Sequence, residues 1–172
     1  MQTLIFLTLA VLLSCPILQA KEEKTSCIQL PSQIEKIIRE QVVKSRGVEH
    51  CESRLNTVGD LNADGQQDIV VLYNIEGACT EPEEVDEKPG HCGNHSESYL
   101  SVFIADQKSY QMVGPLEVGG RGEGYISTLS IKEGRIESET LEYGEADAMC
   151  CPSKKGRAAF TIVQGRLKRV MP

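Results

Sequence analysis

Positive charge is in deficit. Lys and Arg number 18 against 25 Asp and Glu, a formal net charge of −7. Such a surface repels nucleic-acid phosphates and anionic headgroups, so neither is expected as a partner, and it attracts cations. Long apolar runs are lacking as well. The longest, residues 4–13, is broken only by Thr8 and falls short of the ~20 residues that span a bilayer, so no transmembrane segment is expected. No internal repeat occurs. There is no G-x-S-x-G elbow, and no Ser or Cys has a convincing His partner, which argues against nucleophilic catalysis. The run Gly119-Gly120-Arg121-Gly122-Glu123-Gly124 lacks both P-loop spacing and a strand-to-helix context, so it reads as a bulged loop rather than a phosphate cradle.

What is present begins with a leader. Residues 1–20 carry no charge and end in Gln19-Ala20, just before the charged stretch 21–24. The short apolar core suits a signal peptide cleaved after Ala20. Leu12-Leu13-Ser14-Cys15 offers an alternative, a lipid anchor on Cys15. The expected organisation is a signal peptide over 1–20 and a single domain over 21–172, exported to the periplasm or the medium.

Six cysteines follow the leader: Cys27, Cys51, Cys79, Cys92, Cys150 and Cys151. An even number in an exported chain points to disulfides. Spacing alone leaves the connectivity open. Cys79 with Cys92 would close an acidic loop, and Cys27 with Cys51 would tie the two ends of a helical segment. That arrangement leaves Cys150 and Cys151 to each other. The alternative sends these neighbours to distant partners such as Cys51 and Cys27. It is preferred here, because a cross-link between distant segments restricts the unfolded chain far more than one between neighbours.

Pro31 and Ser32 open a helix expected to run to about Ser45, with Ile34, Ile37, Ile38 and Val42 on one stripe and Gly47 ending it. Strands are expected over 69–73, 99–105, 110–113, 125–131, 135–143, 158–163 and 166–170. The turns 132–134 and 164–165 mark two hairpins, each with a Gly able to take positive φ. The fold class is thus α+β: one N-terminal helix packed on a mainly antiparallel sheet of six to seven strands, stapled by disulfides. Residues 75–97 carry Glu76, Glu81, Glu83, Glu84, Asp86 and Glu87 without periodicity, a solvated loop that needs a tie.

Gly-Asp-Leu-Asn-Ala-Asp-Gly-Gln-Gln-Asp, residues 59–68, carries the chemistry. Calcium takes six to eight oxygen ligands, and alternate carboxylates on a tight loop deliver them. Asp60, Asn62 and Asp64 occupy positions one, three and five of such a loop. Gly65 sits at the bend, Gln66 offers its backbone carbonyl at seven, and Asp68 falls at nine. Position twelve holds Val71 where an EF-hand places its Glu, and the apolar run 69–72 demands a strand. The segment resembles the D-x-[DN]-x-D-G-x-x-D loops of FG-GAP and VCBS-type repeats, in which a β-hairpin turn holds calcium. The resemblance implies Ca²⁺ on Asp60, Asn62, Asp64, Asp68 and the Gln66 carbonyl. One copy is present, so no propeller is implied. More of the chain, about 58–170, is similar to a group of exported bacterial proteins with a GDLDGDG-type loop and a late D-P-M-C-C-P-S stretch, here Asp147-Ala148-Met149-Cys150-Cys151-Pro152-Ser153. That likeness implies architecture and export only.

Other constellations are weaker. His91 and His95 flank Cys92, but two His without a third ligand make a poor zinc site. The expected function is a non-enzymatic binding or structural module with one structural calcium site and an unknown protein or glycan ligand. Two alternatives are a secreted inhibitor of a hydrolase, presenting residues 79–92 or 119–124, and a weak carboxylate-dependent hydrolase.

Overall fold

The computed structural model describes residues 27–79 and 88–171. The leader, Cys15 and the acidic residues Glu81, Glu83, Glu84, Asp86 and Glu87 lie outside the described residues.

Helix α1 spans Ser32–Ser45, as its periodicity predicts. Ile34 and Ile38, one turn apart, are fully buried. The Pro31 carbonyl accepts the amides of Ile34 and Glu35, and the Glu35 carboxylate reaches back to the Leu30 amide at 3.1 Å, so both orphan donors and the incoming chain are fixed. Arg46 rather than Gly47 takes the left-handed position at the C-terminus, with φ 54°. Gly47 is needed for space instead, because a Cβ there would collide with the Ile75 side chain.

Among the described residues ten strands follow in two sheets, which corrects the expectation of one sheet of six to seven. The first sheet contains β1 (Val48–Glu49), β2 (Leu55–Gly59), β3 (Asp68–Glu76), β4 (Ser96–Asp106) and β5 (Ser109–Gly120). β1 and β2 share one edge of β3, and β4 and β5 continue the sheet on the other side. The second sheet contains β6 (Tyr125–Ile126), β7 (Ser130–Lys132), β8 (Arg135–Glu142), β9 (Lys154–Val163) and β10 (Arg166–Val170). Every pairing is antiparallel. Two expected strands behave differently. The third runs past Gly114-Pro115 to Gly120, with register shifts at Ser98/Tyr99 and Leu100/Val102. The fourth breaks in two, where the Thr128 hydroxyl replaces a backbone acceptor for the Glu139 amide at 3.1 Å.

Side-chain alternation along β3 places it in two cores. Val70 and Leu72 join Leu100, Val102 and Val113 against Ile126, Ile136, Ala158, Phe160 and Leu167 of the second sheet. Ile69, Val71, Tyr73 and Ile75 pack with Phe103 against Ile34 and Ile38 of the helix. The layers run helix, first sheet, second sheet. The glycine-rich segment makes the crossing between sheets: a Cβ at Gly120 would collide with the Ser96 carbonyl, and one at Gly124 would stand 2.5 Å from the Leu141 carbonyl.

A buried cation joins the N-terminal segment to this frame. Arg54 is 2% exposed. Its guanidinium pairs with both Glu49 oxygens at 2.7 and 2.8 Å, with Glu35 at 2.7 Å and with the Ile28 carbonyl at 3.0 Å.

Cys27 pairs with Cys51, Cys79 with Cys92, and Cys150 with Cys151. The preference for distant partners of Cys150 and Cys151 is therefore corrected. Cys27 and Cys51 are brought together where the chain leading to α1 meets the 3₁₀ turn Cys51–Ser53, beside Arg54. Cys150 and Cys151 sit on an exposed loop of the second sheet and close on each other. The Cys79–Cys92 tie is reinforced by backbone, since Gly77 bonds His95 and Cys79 bonds Ser45.

Candidate functional site

The candidate calcium residues sit where β2 turns into β3. Gly59 pairs with Asp68 at the base of the hairpin, and the turn between them is exposed apart from its stem. Two residues supply the tight bend: Ala63 at φ 61° and Gly65 at φ 82°. Asp60 accepts the amides of Asp64 and Gly65 at 3.2 and 2.8 Å. Asn62 accepts the Asp64 amide at 3.1 Å and donates its side-chain NH₂ to the Asp64 carboxylate at 2.9 Å. Asp64 accepts the Gln66 amide at 2.7 Å. The Asp64 carboxyl is held below the usual carboxylate range, first by the Gln66 backbone N–H and then by the Asn62 amide. Asp60, Asn62 and Asp64 thus share one turn, each bound to its backbone amides, and the carboxylates of Asp60, Asp64 and Asp68 are not gathered within 4.8 Å of one another. The Gln66 side chain bridges the turn and β4–β5: its NH₂ donates to the Asp64 carboxylate at 3.4 Å and its oxygen accepts the Gln107 amide at 2.9 Å.

Asp68 differs from the other three. It is fully buried, with one oxygen accepting the Leu61 amide at 2.8 Å and the other the Ala105 amide at 2.9 Å. It ties the turn to the end of β4. Among the described residues, the group of three or more His, Cys, Asp or Glu gathered within 4.8 Å is Cys27, Glu49 and Cys51. Its two sulfurs are spent in a disulfide, so it offers no metal centre. His91 and His95 join no such group.

The late cysteine stretch forms its own organised loop. Asp147 accepts the amides of Gly144 and Ser153, each at 2.8 Å, and the Ser153 hydroxyl at 2.8 Å. These contacts, the Gly144 amide foremost, hold its carboxyl below the ordinary range. A depressed folded-state pKa contributes stability that is fully present above the unfolded value of ~3.9 and is lost as pH falls through the lower folded value. Acidification below about pH 4 should therefore release the Gly144 and Ser153 amides together. Their NMR amide shifts should move in one titration step, well before the β3 amides respond. Independent or absent movement would dissociate them from Asp147.

Arg121 of the Gly-rich turn reaches the Asn94 carbonyl at 3.2 Å, a backbone partner in place of a carboxylate. On the outer face of the second sheet, Glu137 and Glu139 line one cleft with Lys132 and Arg157. Lys132 stands 2.9 Å from Glu137 and foremost among the causes holds its carboxyl below the usual range. That direction is the wrong one for the general acid of a carboxylate-pair hydrolase.

Arg54 and Asp147 carry local architecture that the motif reading passed over. Only the Asp-x-x-x-x-x-Ser spacing hinted at the second, as a side chain able to bond its own backbone. Comparison with protein-family models, with curated proteins and with solved structures finds no match.

Proposed function

We propose that this chain is an exported, non-enzymatic binding module whose β2–β3 turn holds one calcium ion in a structural role. The carrying observation is electrostatic. Asp60, Asp64 and Asp68 fall within nine residues, and none is ion-paired to a Lys, Arg or His among the described residues. The donor chemistry fits a hard cation: Asp60, Asn62 and Asp64 offer side-chain oxygens, Gln66 its carbonyl, and Asp68 the lone pairs that its two amide contacts leave. Calcium would supply the positive charge that offsets three carboxylates in one turn. The chain's own part is to hold that turn in register with β3. Three disulfides support an oxidising destination, and among the described residues no helix is long and apolar enough to cross a membrane.

Without a bidentate Glu in the loop, the affinity is of an extracellular type, roughly 10⁻⁴–10⁻³ M. At ~1 mM calcium and the tight end of that range, binding stabilises the fold by about 1.4 kcal/mol. For a domain of this size that is a rise in Tm of about 3–6 °C. Asp60→Ala and Asp64→Ala should each abolish the rise. A shift that persists undiminished in either variant removes these ligands.

A metal-free polar turn is the second reading. It is favoured by the backbone amides that already satisfy Asp60, Asn62 and Asp64. Calorimetry decides: no heat up to several millimolar calcium would leave the turn as a hydrogen-bonded bend.

A further inference from the structure

A cleft of about 470 Å³ opens between the two sheets at the far end of β3 from the cation turn. The separation is about 20 Å, six residues of strand from Asp68 to Asn74. Its lining contains no Asp, Glu, Lys, Arg or His. The clefts lined by Glu137, by Lys44, by Glu35 and by Lys155 all carry charge. In a chain of net charge −7, a charge-free cleft selects against ions, because a charge buried there would find no partner.

The cleft has a polar floor and an apolar wall. Asn74 on β3 and Ser98 on β4 are cross-strand neighbours that both line it. Asn74 is 8% exposed, and its side-chain carbonyl oxygen is itself closed to solvent and has no hydrogen-bond partner. Buried amide oxygens are nearly always satisfied, so this orphan asks for a donor. Ser127 stands at the exposed lip. The wall is Tyr125 and the Cys150–Cys151 disulfide. Two adjacent cysteines close a compact, polarisable apolar plate. The Tyr143 hydroxyl donates to the Met149 carbonyl at 2.5 Å, next to Cys150. The volume falls in the range of ligand pockets, about 300–1,000 Å³.

We propose that this cleft binds one unit of a neutral oligosaccharide, with its C–H face on Tyr125 and the Cys150–Cys151 plate, the Asn74 amide turning so that its carbonyl oxygen accepts a sugar hydroxyl. A sugar ring matches both surfaces: one face is apolar, the edges are donors, and it carries no charge to desolvate. The inference deepens the reading of the chain as a binding module, and it rests on that reading. It does not rest on calcium, whose turn lies at the other end of the hairpin.

The test uses the full mature chain in calcium. It is titrated with hexasaccharides of α-1,4-glucose, β-1,4-glucose and N-acetylglucosamine, and with hexagalacturonate as the anionic comparison, by saturation-transfer NMR and calorimetry. At least one neutral hexasaccharide should bind saturably, and hexagalacturonate should not. Asn74→Leu should weaken that binding about tenfold or more. Ser127→Trp, which fills the lip without entering the core, should abolish it. Both variants should keep the wild-type melting behaviour, and if Asn74→Leu does not fold, Ser127→Trp decides. The proposal is overturned by no neutral binding, by equal binding of hexagalacturonate, or by unchanged affinity in the variants. Calcium stabilisation without sugar binding would sink the cleft alone. Sugar binding without calcium stabilisation would sink the cation turn alone.

Discussion

Replacing Arg54 by Ala should cost the fold about 3–5 kcal/mol, the scale of breaking a buried ion pair from one side. Its side chain is 1% exposed, Glu49 is 14% and Glu35 is 29%. Burial alone would lower the guanidinium pKa, but the hydrogen bonds and charges of Glu49 and Glu35 more than offset it and the net shift is upward. Removing the cation leaves Glu49 facing a poorly solvated space and frees the Ile28 carbonyl, so the segment ahead of α1 is left to the Cys27–Cys51 disulfide and the Leu30–Glu35 contact. The midpoint of thermal unfolding should fall by about 6–20 °C. Glu35→Gln should cost much less, since that carboxylate still reaches water. Urea unfolding of both variants measures the difference. Equal losses would show that the network is not centred on Arg54.

Asp68→Ala should cost about 2–4 kcal/mol, because it strips acceptors from two part-buried amides at once. The losses fall on Leu61 in the turn and Ala105 at the end of β4. Asn cannot rescue both contacts, since its NH₂ would face an N–H. The loss should persist in chelator and grow by the missing calcium increment when calcium is present, which separates Asp68 from Asp60. Asp60→Ala should remove the calcium increment and leave the metal-free stability close to that of the wild type. A destabilisation by Asp68→Ala that vanishes in chelator would instead make Asp68 chiefly a cation ligand.

These two residues also mark where the sequence was legible. The run 69–73 reads as a strand buried on both faces because it is continuously apolar and β-branched, and β3 has that environment. The α1 boundaries follow from Pro31, the isoleucine spacing and the chain reversal at Arg46-Gly47. β2 escaped notice because Leu55–Gly59 mixes Asn and Thr with two apolar residues, and its partners come from β3. The strands of the second sheet are legible in the sequence, but their separation from the first sheet is not, for a related reason. Its inward positions on β8 include Ser138 and Thr140, so the alternation that would announce a buried face is muted. Arg54 looks like any surface arginine until the fold brings Glu35 and Glu49 to it from two other elements. The turn residues were legible as a cluster, but nothing in their spacing distinguishes the inward Asp68 from the outward Asp60. Unfolded-chain entropy favours distant partners for Cys150 and Cys151, but the other described cysteines pair elsewhere, Cys27 with Cys51 and Cys79 with Cys92.

Because β3 contributes alternate side chains to both cores, neither the helical layer nor the β6–β10 sheet can come apart while the other stays intact. A chain cut after Gly120 would present Val70, Leu72, Leu100 and Val102 to water as a bare sticky plane. The two layers are therefore coupled through one strand, and any useful truncation has to keep both sides of that shared ribbon.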